Sequence, residues 1–362
     1  MGLFQIVLIV SLLFVAMGCI AQDQSVIKIG YTGPLTGEVA IAGQENVRGV
    51  QLAIDKINDD GGINGKMLEL AVKDDMFNTK EAVTQYHQLV YVENVDFITT
   101  ATYGGFLAWA EQAEQNNVIL LETLDTSNEL AGLGKNSFAV GIYDEGIGYA
   151  IANYLNENEI DEVGLIFNIE DPFLGLVYLA FSERFNGTVE KEEYLFSTSD
   201  FRTILEKLKK YDYIVLLGFE ENGRIVRQAK EMEVNSQFIG IDTMASQDFI
   251  QNTGNNHEGL LFTYWEGNKD NSIYKELINK YKEKYGAEPE NNLFLAVGYD
   301  AMLSLGETLK SCGEELDCIK NQLSGINISG ATGQIIMDDD HITRSVRERI
   351  YTYKDGAIIE AN

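Results

Sequence analysis

Beyond residue 25 the chain alternates strand-like with helix-like segments, and this alternation constrains its fold more than any other feature. "VIKIGY" reads as a strand, and in "NVRGVQLAIDKI" Val47, Val50, Ile54 and Ile57 share one helical face. "NDDGGINGK" ends that helix, with Gly61 and Gly62 suited to a left-handed cap. "MLELAVKDD" alternates Leu68, Leu70 and Val72 as a strand, and Asn78 with Glu81 forms a capping-box start for the next helix. "VDFITTA", "GGFLAWAEQAEQNN" and "VILLE" continue the rhythm. It resumes after "VGIYDEG" with "EVGLIFN", "PFLGLVYLAFSERF", "DYIVLLGF", "NGRIVRQAKEME" and "SQFIGI". Repeated βα units of this kind imply parallel sheets with helices on both faces. Two runs separated near "VGIYDEG" imply two similar α/β lobes. Long helices are expected over "SIYKELINKYKEKYG" and "NLFLAVGYDAMLSLGETLK", and strand-like "GQIIMD" and "RERIYTYKDGAII" near the end.

Length agrees with two lobes, since 362 residues exceed what one core commonly holds. The chain carries 27 Lys plus Arg against 56 Asp plus Glu, a net charge of −29, so it repels polyanions and nucleic acid is excluded as a partner. Leu3 to Met17 is almost wholly apolar and shorter than the ~20 residues a membrane span needs, which fits an export signal. "VAMGC" then places Gly18 before Cys19, as in a lipoprotein processing site, so Cys19 is expected to carry lipid. Cys312 and Cys318 are spaced C-x5-C without a third Cys or nearby His, unlike a metal site. In an exported chain they are expected to form a local disulfide.

"GYTGPLTG", Gly30 to Gly37, is a glycine-rich strand-to-helix turn, but it lacks the Lys of a P-loop and the Gly-x-Gly-x-x-Gly dinucleotide spacing. His87, His257 and His341 lie far apart, and neither a nucleophile elbow nor a His-Glu-x-x-His motif occurs. Asp338 to Asp340 lack the alternation of a calcium loop and read as a solvated turn. Neither a cofactor nor a resident metal is expected. Asn186 and Asn327 open glycosylation sequons.

One block, "IKIGYTGPLTGEVAIAGQENVRGVQLAIDKINDDGGINGKMLELAVKDD", resembles the opening of the leucine/isoleucine/valine-binding protein family, the solute receptors of ABC importers. The resemblance continues at "NVILLETLDTSNEL", "GRIVRQAKEMEVNSQFIGID", "VGYDAMLSLGETL" and "GATGQIIMDDD", covering nearly everything after residue 25. It implies a type I periplasmic-binding-protein fold, an α/β chain with two doubly wound parallel-sheet lobes joined by three crossovers. The crossovers are expected near Tyr143, Trp265 and Gln334. One lobe would then hold residues 26–143 and 266–334, the other 144–265 and 335–362, with residues 1–25 as signal and tether. It also implies a monomeric, non-enzymatic receptor, held to the outer face of the cytoplasmic membrane by a lipid anchor. Such a receptor closes over a small polar ligand, first of all a branched-chain or other amino acid, and passes it to ABC permease subunits. A sensory receptor of the same fold is the other reading.

Carried over residue by residue, the family's ligand carboxylate would meet "TATYGG", at Thr102 or Tyr103 and at Gly104, where a helix N-terminus suits an anion. The second loop, "TLDTSN", offers the Leu124 carbonyl and the Thr126 hydroxyl. Asp242 in "IGIDTM" would take the ligand ammonium, and Phe173 and Phe219 would wall the cleft. This sequence departs from the family with Tyr103 at the usual Ser position and Ala42 where an aromatic is common. The ligand class therefore spans an amino acid, an amide or urea-like compound, and a short peptide.

Overall fold

The computed structural model describes residues 26–37, 39–219, 221–346 and 348–361; Cys19 and the expected export signal lie outside the described residues. The chain opens with β1 (Ile27–Gly33), α1 (Ala40–Asp59), β2 (Leu68–Asp74), α2 (Thr79–Tyr91), β3 (Phe97–Thr100), α3 (Tyr103–Gln115) and β4 (Ile119–Glu122). Short strands β5 (Asp125–Thr126), β6 (Ser137–Ala139) and β7 (Ile142–Tyr143) follow. The second βα series is α4 (Asp144–Glu157), β8 (Glu162–Asn168), α5 (Pro172–Arg184), β9 (Thr188–Tyr194), α6 (Arg202–Leu208), β10 (Tyr213–Leu217), α7 (Asn222–Glu231) and β11 (Gln237–Gly240). A short 3-10 turn (Asp242–Ala245) leads to α8 (Gln247–Asn252) and β12 (Leu261–Tyr264). Helices α9 (Ser272–Tyr285), α10 (Asn292–Cys312) and α11 (Leu316–Leu323) precede β13 (Asn327–Ser329), β14 (Gln334–Ile336), β15 (Arg349–Lys354) and β16 (Ala357–Glu360).

Two sheets organise these elements. The first is wholly parallel, in the order β2-β1-β3-β4-β6. The second runs β16-β15-β12-β11-β10-β8-β9; its strands β8 to β12 are parallel, and β15 and β16 join antiparallel. "FITT" and "ILLE" are buried along their whole length, as interior parallel strands covered on both faces must be. On the sheet edge, β9 carries "VEKEE", whose charges discourage pairing with another chain. In both sheets the strand order reverses beside the first strand of the series, between β1 and β3 and between β8 and β10. Loops leaving the carboxyl ends of strands at such a reversal form a natural binding crevice.

Helices cover both faces of each sheet. Trp109, Tyr86 and Phe106 are fully buried beneath α2 and α3, each large ring contributing about 1.5–3 kcal/mol by burial. Against the other face α1 and α10 approach so closely that a Cβ at Gly298 would stand 2.3 Å from the Asn46 carbonyl oxygen, and one at Gly49 2.1 Å from that of Leu295. Gly61 and Gly62 do take the left-handed conformation after α1, at φ 100° and 71°. Asn78 caps α2 by accepting the Lys80 and Glu81 amides; its own amide bonds the Asp75 carbonyl, so Glu81 is not needed for the reciprocal half of the box. Strands β15 and β16 form a hairpin, turning at Asp355 and Gly356 with φ 52° and 76°.

The chain passes from the first sheet toward the second at Tyr143–Asp144. After β12 it returns, through α9 and α10, to pack on α1. The expected third passage at Gln334 lies further on: Gln334 begins β14, which pairs with β13, and the chain rejoins the second sheet at Arg349. Between them Ile342 bridges Ala139 and Val346 bridges Ile142, so backbone pairing holds this segment beside the first passage.

Candidate functional site

Asp125 after β4 lies within electrostatic reach of Asp242 after β11 and Asp171 before α5, so loops at the carboxyl ends of the two sheets come close there. The site is therefore built from loops on both sheets and from the passages between them. A separate hollow of about 280 Å3, lined by Val26, Glu93, Asp96 and Glu314, opens at the amino ends of β1 and β3, away from these loops.

On the first sheet, "GPLTG" is tied down by Asp74, which accepts the Leu35 amide at 2.9 Å and the Thr36 hydroxyl at 2.6 Å. After β3, Thr102 precedes the first turn of α3, and its hydroxyl donates to Asp75 at 2.6 Å. Tyr103 reaches across to the loop after β4, bonding Ser127 at 2.7 Å and donating to Glu129 at 2.9 Å. Burial, and then Glu129, hold its phenol well above the ordinary value, so it is a neutral donor. A Cβ at Gly104 would meet the Thr79 hydroxyl at 2.6 Å and one at Gly105 the Ala82 methyl at 3.0 Å, so both glycines let α3 seat on α2. The first-turn amides of α3 have no intrahelical acceptors and carry the positive end of the helix dipole.

Leu124 and Thr126 are engaged by the passages. The Leu124 carbonyl accepts the Ile142 amide at 2.8 Å. The Thr126 hydroxyl lies 2.7 Å from the Thr343 carbonyl and 3.1 Å from that of Ile142. Its proton therefore joins two crossing segments, and toward a ligand it has only acceptor capacity left.

On the second sheet, Phe173 at the start of α5 and Phe219 after β10 stack with centroids 6.4 Å apart. Phe196, after β9, also stacks with Phe219, at 6.3 Å, and is 47 % exposed. Phe196 was not anticipated; its position beyond the C-terminal end of a strand next to the reversal point is the signal that would have found it. Asp242 is half-buried and opens the 3-10 turn after β11, at the carboxyl edge where a ligand-facing acid was expected.

The passages themselves carry acids that the sequence reading left out. Asp144, directly after β7, is 1 % exposed, and neither of its carboxyl oxygens has a hydrogen-bond partner among the described residues. Burial, then Asp125, Glu145, Glu122 and Glu348, drive its pKa well upward. Burial and the neighbouring Asp242 and Asp171 push Asp125 up to about 7. Glu122 accepts the Leu124 amide through one oxygen, and Glu348 is pushed well upward by burial and then Asp242. Asp125 stands inside the quoted "TLDTSN" and Asp144 inside "VGIYDEG"; acids at points where the chain crosses between lobes were the available clue.

Cys312 and Cys318 are joined in the structure, with Cα atoms 5.6 Å apart, tying the end of α10 to the start of α11. His87 is exposed on α2 and bonds Gln112, and His341 stacks on Phe138, so the histidines do not converge. No helix among the described residues is long and apolar enough to cross a membrane.

Residues 26–356 match the Periplasmic binding protein family, and the chain belongs to it. It is 26 % identical over 308 residues to a Leu/Ile/Val-binding protein homolog of Brucella suis, covering 83 % of this chain and 81 % of the relative. It is 23 % identical over 341 residues to the leucine-, isoleucine-, valine-, threonine-, and alanine-binding protein of Pseudomonas aeruginosa, covering 91 % of each. Among solved structures it superposes with a TM-score of 0.80 on the branched-chain amino acid transporter substrate binding protein LivJ of Streptococcus pneumoniae, in complex with isoleucine. That pair is 28 % identical over 92 % of this chain and 98 % of the other. The two-lobed α/β architecture of type I periplasmic binding proteins, expected from the sequence, is thus the observed fold, and the family is one of solute receptors.

Proposed function

We propose that this member of the periplasmic binding protein family captures an amino acid between its two lobes and delivers it to an ABC importer. The observation that carries the reading is the opposition of unlike ends across one crevice. The N-terminal amides of α3 offer positive charge on one sheet, and Asp242 offers an acid on the other. A zwitterion presents a carboxylate and an ammonium to such a pair, and the relatives named for amino acids support the assignment. Tyr103, its proton given to Glu129, closes the rim, and Phe173, Phe219 and Phe196 supply an apolar wall. Gly104 contributes its backbone amide. Thr102, Leu124 and Thr126 act behind the ligand, holding Asp75 and the passages in place.

The lobes divide at the passages around Tyr143, Trp265 and the 337–348 segment, and closure over the ligand occurs there as a hinge motion; hinge closure around a ligand is the repertoire already described for periplasmic binding proteins in general. Residues 1–25 direct export, and Cys19 anchors the receptor by lipid on the outer face of the membrane, where the Cys312–Cys318 bond persists. Permease subunits are the macromolecular partners, and the receptor works as a monomer.

The test is Asp242→Ala in titration calorimetry. Removing one side of a desolvated charge pair costs at least ~2 kcal/mol, about thirtyfold in affinity. An amino acid that binds the variant as tightly as the wild type would remove Asp242 from the site.

A further inference from the structure

Among the described residues, Asp144 is a buried carboxyl with both oxygens unpartnered. It does not stand alone: Glu122, Glu145 and Glu348 each also bury one oxygen without a partner, and Asp125 lies beside them. Among the described residues none of these five acids forms an ion pair. Arg349, next to Glu348 in the chain, pairs with Glu360, and Arg344 lies over the Tyr143 ring and is bonded to Asn128 and Asp338. These acids come from separate stretches of chain, 122–125, 144–145 and 348, brought together by the pairing of β5 with β7 and of Ile142 with Val346. Buried without partners, such carboxyls are held neutral, and an incoming cation gives them a charge to pair with. No group of three or more His, Cys, Asp or Glu among the described residues is placed to hold a metal ion. An organic cation is therefore the occupant considered for these acids.

A neutral amino acid answers only part of this. Its ammonium is met by Asp242 and its carboxylate by α3, leaving the crossing acids as they were. We propose that the ligand is a cationic amino acid, whose side-chain ammonium or guanidinium lies against Asp144, Asp125 and Glu348 where the chain crosses between the lobes. This rests on the amino-acid reading above and names the substrate class within it. The elevated pKa of Asp125 fits a group that stays protonated until a cation arrives.

The experiment is titration calorimetry of the purified full chain at neutral pH with L-lysine, L-ornithine, L-arginine, L-leucine, L-isoleucine and putrescine. The expected result is that at least one basic amino acid binds a hundredfold or more tighter than leucine and isoleucine. Asp144→Asn is expected to weaken that basic ligand at least tenfold, with Asp125→Asn as the second variant should the first fail to fold. Leucine or isoleucine binding more tightly than all three basic amino acids would overturn this inference and leave the amino-acid reading standing. So would a basic ligand whose affinity neither variant changes. Putrescine binding without any amino acid would overturn the amino-acid reading itself, and with it the substrate class named here.

Discussion

Raising the pH from 5 to 8 is expected to destabilise this protein, and the size of the effect follows from two carboxyls. Asp300, on α10, is 1 % exposed; burial lifts its pKa to about 6, against the bonds it accepts from Thr332 and Ala331. Asp125 is lifted to about 7 by burial and by Asp242. In the unfolded chain both ionise near 3.8. Between pH 5 and their folded values each is protonated in the folded state and ionised in the unfolded state. The folded chain thus binds more protons, and stability falls as pH rises. At 1.36 kcal/mol per unit, Asp300 loses about 1.4 kcal/mol over one unit and Asp125 about 2.7 kcal/mol over two, about 4 kcal/mol together. Glu122, Asp144 and Glu348 act in the same direction. Urea unfolding followed by tryptophan fluorescence measures this. Salt of about 0.3 M screens the general repulsion of a chain with net charge −29. Asp300→Asn should flatten the pH dependence by about 1.4 kcal/mol and Asp125→Asn by about 2.7 kcal/mol. Unfolding curves whose pH dependence is the same in the wild type and both variants would refute the reasoning.

Two further outcomes bear on the scaffold. Gly298→Ala should lower stability by about 1–3 kcal/mol, because the new methyl would overlap the Asn46 carbonyl of the facing helix; an unmoved urea midpoint would contradict that packing. Alkylating the denatured, unreduced chain and mapping its peptides should find neither Cys312 nor Cys318 labelled, whereas label on both would contradict the bond.

The scaffold was legible where periodicity is local. The β1–α1–β2 unit, the caps at Gly61 and Gly62, and the long helices beginning at Ser272 and Asn292 follow from hydrophobic spacing and capping residues. The terminal hairpin was written in Asp355–Gly356, a turn pair read past inside a strand-like run. The third passage was placed too early because β13 and β14 form a hairpin of their own before the chain crosses. At the candidate site, Asp242 and the aromatic pair were reachable through resemblance, since they stand at strand ends. The hydroxyls of Thr102 and Thr126 were expected to face the ligand. They are drawn instead to Asp75 and to the Thr343 carbonyl, partners that folding brings from 27 and 217 residues away. The acids at 125, 144 and 348 were passed over for the same reason. In an acidic sequence an Asp reads as solvated surface until long-range pairing buries it.

The account's central claim is amino-acid capture, and a thermal-shift screen of the purified full chain against the twenty amino acids tests it most directly. Amides, urea and small carboxylates complete the panel. A ligand present at about a hundred times its dissociation constant adds ~2.7 kcal/mol of stability. The account expects at least one amino acid to raise the melting temperature, and Asp242→Ala to cut that stabilisation to about a third, ~0.9 kcal/mol, at the same concentration. Silence from all twenty, with or without a response to an amide, would contradict it.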